Sequence, residues 1–342
     1  MIYPERLKKG YKIGVTATSD GNASEVDLIR LDSGIRHFVD LGYPVIETAN
    51  VRKSVKGRSS DGRTRATELM QLFKDTSVRA IIAAAGGDYL VEMLPFIDFD
   101  TIKGNPKWIQ GYSDTTGITF TMTTNLDIAT LYANNFGSFG MEYWHNSLVN
   151  NIRILEGQDI SQDSFEKYQD GFVEKITGME GFTLEQEVCW KNLLPVNWNN
   201  SDEIVMKGRA LGGCLDVLLN LVGTRFDKTK EFILKYKQDG ILWFLESFDL
   251  SAEALTRGLW QLKEAGWFSD ASGFIFGRPA MFESDSDTSY EEAVQSVLGE
   301  LNLPIILEAD IGHKPPQFTM INGAIATIIS KEGKGSISFE RR

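Results

Sequence analysis

The chain has 342 residues, 42% of them hydrophobic, enough for a substantial core, and at ~150 residues per domain two domains are expected. Its formal net charge of −12 argues against a nucleic-acid or anionic-membrane surface, because binding phosphate needs clustered Lys and Arg. No apolar run approaches the ~20 residues of a membrane span, and the opening MIYPERLKKGYKIG lacks the apolar core of a signal peptide, so a cytoplasmic protein acting on a small partner is expected.

Tyr11 to Ala17 reads as a strand. SEVDLIRLDSGIRHFVDLG follows as a helix, with Leu28, Leu31, Ile35, Phe38 and Leu41 at helical spacing behind Ser24 as its N-cap. YPVIET is a strand, DGRTRATELMQLFKD a helix with Ala66, Leu69, Met70 and Phe73 inward, and VRAIIAAAGGD an apolar strand. Then come YLVEMLPFI as a short helix, PKWIQGY as a strand, TTGITFTMTTN as a helix and IATLYA as a strand. This alternation predicts a parallel, doubly wound α/β domain over residues 1–150. The rhythm dissolves over 151–202 into the polar LEGQDISQDSFEKYQDG and the Trp- and Asn-rich CWKNLLPVNWNNSD, read as linker and insertion. Residues 203–342 resume as a mixed α/β domain: EIVMKGRA (strand), GGCLDVLLNLVG (helix), GILWFLE (strand), SAEALTRGLWQLKEAG (helix), GFIFGRP (strand), SYEEAVQSVLGEL (helix), PIILEA and AIATIIS (strands). Cys189 and Cys214, the two cysteines, are too isolated for a zinc site or a disulfide scaffold and fit a reduced compartment.

In parallel sheets ligands sit beyond the carboxyl ends of the strands, so the turns there take priority. In AAAGGDYL, Gly86 and Gly87 free backbone N–H groups to face an anion or a developing oxyanion, or simply make a tight turn; no Gly-x-Gly-x-x-Gly or Walker pattern supports a nucleotide site. In WIQGYSDTTGITF, Ser113 lies at a strand-to-helix corner with Gly111 before it and Asp114 after it, which has the mechanics of a nucleophile elbow, although Thr115 replaces the usual Gly. The alternative is that Ser113 only caps the helix. A serine nucleophile needs a base. Of the three histidines, His37 falls within a helix and His145 in an aromatic loop, whereas His313 directly follows the strand PIILEA in a loop stiffened by Pro315 and Pro316. GILWFLESFD ends an apolar run in Glu246, a carboxylate placed to orient the imidazole, or else a charge at a helix start. Nucleophile and base fall in different domains, so the site would form across the two. No metal or cofactor is called for. A non-catalytic binder of a small peptide or sugar is the rival reading.

Four ordered blocks, AAAGGDYLVEMLPFIDFDTIKGNPKWIQGYSDTTGIT, KGRALGGCLDVLLNLVGT, ILWFLES and ADIGHKPPQFTMINGAIA, resemble the LD-carboxypeptidase family of serine peptidases, which includes murein tetrapeptide LD-carboxypeptidases and microcin C immunity peptidases. The resemblance implies Ser113 as nucleophile, Glu246 as acid, His313 as base, and the amides of Gly87 and Asp114 as the oxyanion hole. It also implies a Rossmann-like N-terminal domain, a C-terminal domain of swivelling β/β/α type and a homodimer. Ala133 and Asn134 stand where the family often has Gly-Pro, and Ile321 where it has Pro. A murein substrate calls for a cation to meet its terminal carboxylate, with Arg209 as candidate; a microcin-type substrate calls for an aromatic surface under a nucleobase, with Trp190 or Trp198.

Overall fold

The computed structural model describes residues 1–195 and 203–342, and Trp198 lies outside them. The chain divides into two compact units, Met1–Gln158 with Val173–Phe182, and Asp159–Phe172 with Thr183–Arg342.

The first unit runs β1 (Lys12–Thr16), α1 (Glu25–Asp40), β2 (Val45–Glu47), α2 (Gly62–Lys74), β3 (Val78–Ala83), α3 (Phe99–Gly104), β4 (Trp108–Gly111), α4 (Thr116–Leu126), β5 (Thr130–Tyr132) and α5 (Asn146–Leu155). Its strands are parallel in the order β5-β4-β3-β1-β2. The order reverses between β1 and β3, the place where ligands bind at the carboxyl ends of open parallel sheets. Ser24 caps α1 by accepting from Asp27 N at 3.1 Å, and Leu31 and Phe38 turn inward. Helix α4 is buried on nearly all sides although Thr-rich. Its hydroxyls satisfy themselves locally: Thr121 Oγ1 donates to Gly117 O at 2.6 Å and Thr124 Oγ1 to Phe120 O at 3.0 Å, removing the desolvation cost. The predicted helix YLVEMLPFI is instead two short 3-10 turns, Leu90–Glu92 and Leu94–Phe96, with Pro95 lacking the N–H a longer helix needs. Segment Val173–Phe182 is clipped onto α1, where Arg30 Nη1 donates to Gly178 O and Glu180 O, both at 3.0 Å.

The second unit comprises β6 (Ser161–Asp163), β7 (Lys167–Tyr168), β8 (Gln186–Glu187), β9 (Lys191–Leu193), β10 (Glu203–Cys214), α6 (Leu215–Leu221), α7 (Thr229–Tyr236), β11 (Ile241–Glu246), α8 (Ala252–Glu264), β12 (Ala271–Gly277), α9 (Tyr290–Leu298), β13 (Ile305–Ala309), β14 (Met320–Asn322), β15 (Ile325–Lys331) and β16 (Lys334–Glu340). Its main sheet has the order β6-β16-β15-β10-β11-β12-β13-β9, parallel from β10 to β13 and antiparallel at both flanks. Residues Gly212 to Cys214, expected to open a helix, are the last residues of β10. A Cβ on Gly212 would lie 1.7 Å from Phe244 O, so the glycine serves close strand approach rather than a turn. Among the described residues no helix is long and apolar enough to cross a membrane.

Candidate active site

Each unit carries a strand-end constellation of its own. In the first, β4 ends at Gly111, and a Cβ there would meet Thr115 Cγ2 at 2.6 Å, so only glycine lets the chain fold back so sharply. Ser113 then takes φ +61, the left-handed region a side chain enters at a cost of about 1 kcal/mol or more. The bend is held by Asn135 Oδ1, which accepts Tyr112 N at 3.2 Å, and by the Tyr132 hydroxyl, which accepts Ser113 N at 3.3 Å. Ser113 does not cap the helix: Tyr112 precedes the 3-10 turn Ser113–Thr115, Thr115 precedes α4, and neither helix start has a side-chain cap. Instead the half-buried hydroxyl faces the loop beyond β3, its Oγ 3.2 Å from where Gly86 would carry a Cβ. Gly87 follows with φ +137.

In the second unit β11 ends in Glu246, fully buried at 0% exposure. Gly312, φ +94, passes so close that a Cβ would sit 2.6 Å from Glu246 Oε2, and this approach delivers His313 Nδ1 to the same oxygen at 2.8 Å. Nδ1–H donation to the carboxylate places the imidazole lone pair on Nε2, the arrangement of a general base. Burial disfavours the imidazolium, but the charge and hydrogen bond of Glu246 and the charge of Asp216 outweigh it, and the His313 pKa is raised above its ordinary value. Phe248 packs on the imidazole with ring centroids 4.8 Å apart. Asp216 fixes that residue by accepting Phe248 N at 2.9 Å and Asp249 N at 3.1 Å. The neighbouring Cys214 thiol is pushed well up by burial and by the Glu246 and Asp216 carboxylates, so it stays protonated and unreactive. The loop carrying His313 is anchored by a buried ion pair between Arg278 and Asp310. Arg278 Nη1 also donates to Glu308 O at 2.7 Å.

The remaining candidates lie elsewhere. Arg209 is not brought to Glu246 and His313: it pairs in register with Ile241, whereas Cys214 pairs with Glu246. Five residues at ~3.3 Å each put it about 16 Å away along the strand. Its guanidinium is taken up by Asp239, Nη2 to Oδ2 at 2.6 Å, and stacks 3.9 Å over Tyr236. Trp190 is 3% exposed, its Nε1 donates to Asp310 Oδ2 at 3.0 Å and its ring meets Phe318, so its faces are spent on packing. His37 Nδ1 bonds Phe139 O at 3.2 Å, and His145 caps α5 by accepting Ser147 N at 3.2 Å. Ala133, Asn134 and Ile321 are buried. Among the described residues no three His, Cys, Asp or Glu side chains group as metal ligands do. Asp216 and Phe248 escaped sequence reasoning, since nothing in GGCLD or ESFD marks a carboxylate that ties down a distant loop.

Residues 13–133 match the LD-carboxypeptidase N-terminal domain and residues 207–328 the LD-carboxypeptidase C-terminal domain. The chain is 25% identical over 337 residues to the "Probable murein peptide carboxypeptidase" of Bacillus subtilis (strain 168), covering 96% of this chain and 92% of that one. It is 26% identical over 309 residues to the Microcin C7 self-immunity protein MccF of Escherichia coli, covering 85% and 83%. The crystal structure of an MccF-like protein from Bacillus anthracis str. Ames shares the fold at a TM-score of 0.82, with 24% identity and full coverage of both chains, 100% and 100%.

Proposed function

Because the chain belongs to the LD-carboxypeptidase family and is a serine-type carboxypeptidase, we propose that it hydrolyses the L,D amide bond of murein tetrapeptides in cell-wall recycling. Ser113 is the nucleophile, His313 the base and Glu246 the orienting acid. His313 Nε2 takes the Ser113 hydroxyl proton, and the alkoxide attacks the amide carbonyl. The developing oxyanion is met by the N–H groups of Gly87 and Asp114. His313 returns the proton to the departing amine, the C–N bond breaks, and an acyl ester remains on Ser113. Water, deprotonated by His313, then releases the shortened peptide and regenerates the serine.

The observation that carries the assignment is the buried Glu246–His313 hydrogen bond of 2.8 Å, since a carboxylate wholly removed from water needs such a partner and a base needs such an orienter. The packing of Trp190, one of the two stacking candidates, against Phe318 supports the murein substrate over an aminoacyl-nucleotide. The Bacillus subtilis relative supports the same choice. The microcin-type reading has its support in the MccF relative. The protein acts in the cytoplasm as a homodimer on this proposal; its two free thiols suit that compartment.

The test is a side-by-side assay of purified protein on a murein tetrapeptide and on an aminoacyl-adenylate phosphoramidate, with mass measurement by light scattering for the dimer. Release of D-Ala from the first with no cleavage of the second is expected; the reverse overturns the substrate assignment.

A further inference from the structure

The loops leaving β1, β3 and β4 meet at one hydroxyl. Ser19, beyond β1, is fully buried, and its Oγ accepts Tyr89 N at 3.0 Å. A Cβ on Gly87 would lie 2.5 Å from that Oγ, so the hydroxyl rests directly on the Gly87 backbone. Asp20 N donates to Gly86 O at 3.0 Å and closes the same two loops from the other side. Asp114 is buried too, and its Oδ2 accepts Leu90 N at 2.8 Å. Burial drives the Asp114 pKa up, opposed by a hydrogen bond from Ser19 and by the Leu90 amide. Ser19 Oγ thus takes the Tyr89 amide while Asp114 Oδ2 takes the Leu90 amide, the next in the chain. Successive amides of the Gly87–Leu90 segment are therefore gripped from β1 and from the elbow, at the point where the strand order reverses.

We propose that Ser19 is the positioning residue of the oxyanion hole, holding the loop of Gly87 at Tyr89 beside the point where Asp114 holds it at Leu90, so that the N–H groups of Gly87 and Asp114 converge on one developing oxyanion. This rests on Ser113 being the nucleophile. Oxyanion donors act on the transition state more than on the bound substrate, so loss of Ser19 falls on kcat and leaves KM in place. Preorganised geometry tolerates little displacement, and a loss of about 10- to 100-fold is expected.

Ser19→Ala is compared with wild type for kcat and KM on a murein tetrapeptide, for the rate of Ser113 modification by an aryl phosphonate, and for thermal stability. The expected result is a folded variant with kcat down about 10- to 100-fold, unchanged KM, and phosphonylation slowed in parallel, since the phosphonyl oxygen occupies the same hole. A folded Ser19→Ala with wild-type kcat and wild-type phosphonylation overturns the proposal. Should Ser19→Ala not fold, Ser19→Cys decides, because its thiol is of similar size but a weak acceptor for Tyr89 N: lost kcat at constant KM supports the clamp, and wild-type kcat overturns it. Failure of the underlying assignment has a different signature, a wild-type Ser113 that the phosphonate does not label and a Ser113→Ala variant that cleaves normally.

Discussion

Glu246 Oε2 and His313 Nδ1 are 2.8 Å apart beneath Gly312, and this one contact sets two opposite pH dependences. The folded His313 pKa is raised above its ordinary 6.5. The protonated ring therefore stabilises the fold fully below 6.5, and that contribution is lost as pH rises through the folded value. Catalysis demands the neutral ring. The expected kcat/KM profile climbs with pH along a limb whose pKa exceeds 6.5, while the stability advantage of wild type over Glu246→Gln shrinks across the same interval. Glu246→Gln should also lower kcat by about 10³- to 10⁴-fold. A wild-type limb at or below 6.5 would show that Glu246 does not raise the His313 pKa.

Ser113 occupies φ +61, a conformation glycine takes without strain. Ser113→Ala should abolish cleavage, a loss of about 10⁶-fold in kcat, and keep the backbone strain. Ser113→Gly should be equally inactive yet more stable than Ser113→Ala by about 1 kcal/mol. Urea denaturation of the two variants checks this; equal midpoints would mean that the elbow stores no strain.

Arg278 and Asp310 form a buried ion pair that anchors the loop of His313. Arg278→Ala leaves Asp310 uncompensated and should cost about 3–5 kcal/mol of stability. Chemical denaturation measures it, and a cost under about 1 kcal/mol would show that the carboxylate finds other solvation.

Gly212 and Gly104 offer a paired test of strand packing. A Cβ at Gly212 would meet Phe244 O at 1.7 Å, whereas one at Gly104 meets nothing within 4 Å. Gly212→Ala should prevent proper pairing of β10 with β11 and give little folded protein. Gly104→Ala, at the end of α3, should be neutral or stabilising by about 0.5–1 kcal/mol. Circular dichroism and thermal melting of both variants suffice to separate these outcomes.

The strand-end positions of Ser113, Glu246 and His313 are legible in the sequence because each terminates or follows an apolar run, and a polar group there must leave the core or find a partner. Arg209 lies in mid-strand because β10 continues to Cys214, past the Ala210 at which the sequence pattern ends it. Trp190 sits among polar residues that read as surface, and the group that receives its indole N–H, Asp310, is 120 residues away in sequence. His145, which the sequence places in an aromatic loop, does at the start of α5 the work usually given to Ser or Asp. Ser19 carries no signal of its own, since a serine after a strand is common and its partners come from two later turns. Strands β6 and β16 went unread because their pairing, Ile337 against Gln162, joins distant segments whose local patterns are short and polar.

The path of the chain has a bearing on inheritance. It leaves the first unit after Gln158, returns for Val173–Phe182, and departs again at Thr183. The returning stretch supplies the carbonyls of Gly178 and Glu180 to Arg30, a guanidinium that burial already makes costly to charge. A gene fragment cut at either obvious boundary would strand that arginine without its acceptors. A chimera that exchanged one half for a foreign partner would therefore have to carry the 173–182 stretch with its own α1.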